Sequence, residues 1–96
     1  MYSQLVENCI VAGYYLNDEE LIRIGSTLSR NPDKEDIQDL FFLSMKHAND
    51  IYGSWESIIM DRNASIQNDT PPEIALAVGT VLIISEAYLK KAFTEN

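Results

Sequence analysis

Apolar residues recur along this chain mainly with the period of an α-helix. Leu5, Cys9, Ala12 and Leu16 follow one another at spacings of four, three and four, which places them on one helix face. Leu21, Ile24, Gly25 and Leu28 form a second such face. Ile37, Leu40, Phe41, Ser44, Ala48, Ile51, Tyr52 and Trp55 form the longest amphipathic series. The stretch Ile74-Ala-Leu-Ala-Val-Gly-Thr-Val-Leu-Ile-Ile84 differs from these in being apolar around nearly its whole helical circumference. The pattern predicts an all-α fold, a compact bundle of four to five helices over about 3–16, 18–30, 32–52, 54–61 and 71–93, in a single domain spanning 1–96.

Capping residues set the expected boundaries. Asn17, with Glu20 three positions on, reads as a capping box, Asp18 and Glu19 filling the first turn of the second helix. So short a connection makes the first two helices an antiparallel hairpin. Asn31 is the expected cap of the third helix, with Pro32 in its first turn. At Gly53-Ser54 two readings stand. Either the helix breaks and Ser54 caps a short fourth helix carrying Trp55, Ile58 and Ile59, or it continues to about Asp61. Residues 62–70 are rich in Asn, Ser and Asp and form the principal polar loop. Asp69 or Thr70 is the expected cap of the last helix, with Pro71 and Pro72 in its first turn. Glu73 and Lys90-Lys91 match the signs of its two dipole ends.

The last helix needs cover on more than one side. Its apolar run between Glu73 and Glu86 falls short of the roughly 20 residues of a membrane span, so protein is expected to surround it. Projection at about 100° per residue puts Ile74, Val78, Val81, Leu82, Leu89 and Ala92 on one broad face. Leu76 and Ile83 fall almost opposite, among the small residues Gly79, Thr80 and Ala87. The helix is therefore either central in its own bundle or part of a homodimer, with a self-association seam at Leu76, Gly79, Thr80, Ile83 and Ala87. Phe42, Leu43 and Met45 beside the main stripe of the third helix, and Tyr14 and Tyr15 at the end of the first, read as core or core margin.

Charge narrows the partners. Fifteen acids against seven bases give a net charge of −8, opposite to what direct binding of nucleic acid or anionic lipid requires. No nucleic acid and no membrane is expected as a partner; another protein with a basic surface is. A single cysteine and an N-terminus lacking a cationic segment before its apolar residues suit a cytoplasmic protein. The sequons Asn63-Ala-Ser65 and Asn68-Asp-Thr70 are then coincidental.

Chemistry-bearing motifs are few, and no cofactor is expected. His47 stands without a second ligand at metal-binding spacing, and with Asp50 three residues on it reads as a surface histidine on a polar face. Cys9 lies inside an apolar stripe, where cysteine behaves as a small hydrophobe. Asp18, Glu19 and Glu20 open the second helix, and Asp33, Glu35, Asp36 and Asp39 open the third. Such acids suit first turns, where each stabilises by about 0.3–1 kcal/mol. Three functions follow, in order. The first is a non-enzymatic protein-binding module: a small acidic inhibitor of the immunity, antitoxin or phage-inhibitor type, or a nucleic-acid mimic, which presents these seven acids and adjacent apolar groups to its partner. The second is a helical adaptor or chaperone acting through apolar helix faces. The third is a magnesium-dependent hydrolase using the carboxylates.

Overall fold

The computed structural model describes residues 2–28, 33–60 and 64–94, with the side chains of Tyr2 and of 92–94 left aside. The described residues form five helices: α1 Tyr2–Tyr15, α2 Glu19–Thr27, α3 Lys34–Tyr52, α4 Trp55–Met60 and α5 Pro72–Thr94. This is the expected all-α bundle, with helix ends within a few residues of those predicted. Asn31, Pro32 and the predicted tail of the second helix beyond Leu28 lie outside the described residues.

Local chemistry corrects the predicted caps. Asn17 is not the N-cap of α2; it ends α1 in the left-handed region at φ 55°, which Asn tolerates better than most residues. The Asp18 amide donates to the Gly13 carbonyl at 2.9 Å and the Asn17 amide to that of Tyr14 at 3.4 Å, a Schellman closure. Asp18 then caps α2 by accepting from the Leu21 amide at 3.1 Å. Asp33, not Asn31, caps α3 by accepting from the Asp36 amide at 2.8 Å. Gly53 breaks α3 in the left-handed region at φ 84°, which decides between the two readings there. The first amide of α4, that of Trp55, is held by the Asn49 side chain at 2.8 Å, a cap supplied from α3. At the start of α5 the Pro71 carbonyl accepts from the amides of Ile74 and Ala75, both at 3.0 Å, while Asn68 holds the Thr70 amide at 3.0 Å.

Four of the helices close a ring. α1 packs on α2, α2 on α3, α3 on α5 and α5 back on α1, whereas the diagonal pairs α1/α3 and α2/α5 do not approach among the described residues. α4 lies against the end of α3 and touches α5. The core inside this ring takes Leu5, Cys9 and Ala12 from α1, Leu21 and Ile24 from α2 with Leu28 at its C-cap, Leu40, Ala48 and Ile51 from α3, and Val78, Val81 and Leu82 from α5. Two buried hydroxyls are satisfied within their own helices: Ser44 donates to the Phe41 carbonyl and Ser85 to that of Val81. α1 and α2 approach closely at Gly25, which sits so near Cys9 that a Cβ there would lie 2.6 Å from the cysteine Cβ.

The Glu73–Glu86 interval understates the last helix. Pro72–Lys91 is long and apolar enough, by length and composition, to cross a membrane; 44% of that window is buried inside the bundle.

Candidate functional site

The seven acids divide between structural work and free surface. Asp18 and Asp33 are caps. Glu20 is bound by the Arg23 guanidinium through both carboxylate oxygens, which holds its carboxyl below the usual range. Asp36 and Asp39 of α3 in turn act on Arg23 across the α2–α3 contact and raise its pKa, after the larger effect of Glu20. Asp18 faces His47 near the far end of α3, so the two helices run antiparallel and spread the acids along their length instead of gathering them at one end. Glu19, Glu35 and Asp39 are exposed, and Asp36 is half-buried.

His47 is not a surface histidine. Its Nε2 lies 2.6 Å from Asp18 Oδ2, with only 16% of the histidine side chain and 14% of the aspartate side chain exposed. Asp50, its neighbour in sequence, is not its partner. Burial opposes ionisation of Asp18, but hydrogen bonds from His47 and from the Leu21 amide outweigh this and lower its pKa. Sequence reasoning missed the pair because its two members stand 29 positions apart.

Three apolar residues expected in the core margin are more than half exposed: Phe42 at 57%, Tyr14 at 68% and Tyr15 at 51%. Leu43 and Met45 are half-buried, as expected for the margin. Phe42 rests its ring 5.9 Å from that of Phe41, which meets Trp55 edge-on at 5.6 Å. Along the outer face of α3 it shares a stripe with Glu35, Asp39 and Lys46, all exposed and spaced at four, three and four.

The predicted seam residues lie together. Leu76, Gly79, Thr80, Ile83 and Ala87 line one groove of about 440 Å³, walled by Tyr52, Ile58 and Ile59. Leu76 is 69% and Ile83 47% exposed, whereas Gly79 is buried beneath the wall. Desolvation raises the pKa of the Tyr52 phenol beside it. At the end of α4, Met60 is 84% exposed, extending the apolar surface.

Among the described residues, no three His, Cys, Asp or Glu side chains converge where a metal ion could sit. The Cys9 thiol is buried and its pKa pushed up to about 12, which leaves it protonated at neutral pH.

Fold and surface thus define the chain as an all-α helical bundle with an acidic, aromatic stripe on α3 and an apolar groove on α5. Comparison with protein-family models, curated proteins and solved structures gave no match.

Proposed function

We propose that the chain is a non-enzymatic protein-binding module, a small acidic antagonist that engages a basic protein surface through the outer stripe of α3 and the adjoining start of α2. The observation that carries this reading is Phe42, 57% exposed between Asp39 and Lys46 and on the same face as Glu35. A large aromatic group in water is a hydrophobic loss that a partner pocket recovers, and interface energy concentrates in such anchors. The acids around it, within a molecule of charge −8, would speed encounter with a cationic partner and exclude acidic ones.

The test uses affinity capture from the native cell with the parent chain, Phe42→Ala, and the double reversal Glu35→Lys with Asp39→Lys. These positions are exposed and leave the caps Asp18 and Asp33 intact, so the variants should fold. A protein retained by the parent and lost by both variants is the expected partner. With that protein in hand, the reversal should slow association at least tenfold at low salt, and rising salt should slow the parent in the same way. Binding that survives both variants refutes the reading.

A further inference from the structure

We propose that α5 pairs with α5 of a second copy of this chain, antiparallel across a two-fold axis that passes between Thr80 and Ile83. Glu73, Leu76, Thr80, Ile83, Ala87 and Lys90 follow one another at spacings of three, four, three, four and three, the alternation of a coiled-coil seam. All six are exposed or half-exposed, while the neighbouring positions Ala75, Ala77, Val78, Val81, Leu82 and Ser85 are buried under the rest of the bundle. The seam spacing therefore coincides with the face of α5 that its own chain leaves uncovered.

Charge and size fix the direction. In the antiparallel register each position meets the one that mirrors it about the axis: Glu73 faces Lys90 of the second copy, Leu76 faces its Ala87, and Thr80 faces its Ile83. Every layer then sets a large side chain against a small one or an acid against a base. Lys90 already reaches Glu86 at 2.8 Å within its own helix and would bridge both carboxylates. A parallel pair would oppose Glu73 to Glu73, Lys90 to Lys90 and Leu76 to Leu76, with like charges at both ends. The wall of the groove beside the stripe, with Ile59 and the exposed Met60, would add apolar cover to the flank of the joined helices. The seam shares no residue with the α3 stripe of Glu35, Asp39, Phe42 and Lys46, and α2 and α5 do not approach each other among the described residues.

The test is sedimentation of the full chain across the micromolar range, with exposed charges exchanged and folding checked by circular dichroism. The parent should dimerise. Glu73→Lys alone places Lys opposite Lys90, and Lys90→Glu alone places Glu opposite Glu73; each should weaken self-association by roughly tenfold. An equimolar mixture of the two single variants restores opposite charges in both layers, and should form a heterodimer at least as tight as the parent dimer. The doubly exchanged chain should also recover. A parent that stays monomeric throughout, as a chain whose groove holds a helix of some other protein would, overturns the proposal. So does a dimer that neither single variant weakens, since a parallel seam or a contact elsewhere behaves that way.

Discussion

Gly25→Ala, in the last turn of α2, and Gly79→Ala, in the interior of α5, are the same substitution in two helices, and the structure gives them opposite signs. Helix propensity alone favours Ala over Gly by about 1 kcal/mol in a helix interior, and by no more than that in the last turn. At Gly25 a new Cβ would lie 2.6 Å from the Cys9 Cβ, against an ordinary carbon contact of about 3.5–4.0 Å. The helices α1 and α2 would have to part by roughly 1 Å, and such overpacking typically costs about 1–3 kcal/mol. Offsetting the propensity gain leaves a net loss near 1 kcal/mol, or a fall in Tm of roughly 4–8 °C for a chain of this size. At Gly79 the nearest atoms to a new Cβ are Ile58 Cγ2 at 3.7 Å and Tyr52 Oη at 3.9 Å, both ordinary contacts. That variant should keep the propensity gain and melt several degrees higher. Thermal and urea unfolding followed by far-UV circular dichroism reads both. Adding Cys9→Ala to Gly25→Ala should not restore stability, because the obstructing atom is the Cβ that alanine retains. A Gly25→Ala protein melting at or above the parent would refute the close approach of α1 and α2.

Asp18→Asn should cost about 1–2 kcal/mol at neutral pH, because asparagine still caps α2 but presents no carboxylate to His47. Asp18 titrates lower in the folded chain than in the unfolded one, so its ionised form stabilises the fold above pH ~4, and that contribution disappears as pH falls through the lower folded value. The gap between parent and variant should therefore close on acidification; urea titrations at neutral and acid pH that show a constant gap would exclude the pair as its source. Cys9, fully buried and protonated, should resist thiol reagents at pH 8 until the bundle unfolds. Stoichiometric labelling within minutes in the absence of denaturant would contradict its burial.

What could be read from the sequence was local or periodic. The α3 face of Ile37, Leu40, Ser44, Ala48 and Ile51 is buried as its spacing requires, and the break at Gly53 was one of two readings that a glycine permits. Leu76 and Ile83 could be placed opposite the core face of α5 because helix geometry alone sets that angle. What escaped depends on how helices meet. His47 lacks a nearby partner in sequence, and only the antiparallel placement of α2 and α3 brings Asp18 to it. Phe42 looked like core margin because the sequence does not show which flank of α3 its neighbours leave open. At Asn17 and Asp18 two good capping residues stand side by side, and the left-handed closure of α1 decided between them.

The ring of contacts bears on how the chain acquires its fold during synthesis. Among the described residues α1 and α3 share a core without approaching each other, and α2 and α5 are the two helices that pack on both. As the polypeptide leaves the ribosome N-terminus first, the α1–α2 hairpin can form early, and α3 can join it through α2 alone. Their apolar faces have nothing to close over them until α5 has emerged. From the completion of α3 at Tyr52 until α5 has followed it to Thr94, the nascent chain therefore carries an open, hydrophobic three-helix layer, an interval of seconds at ordinary elongation rates during which it is exposed to chaperones and proteases.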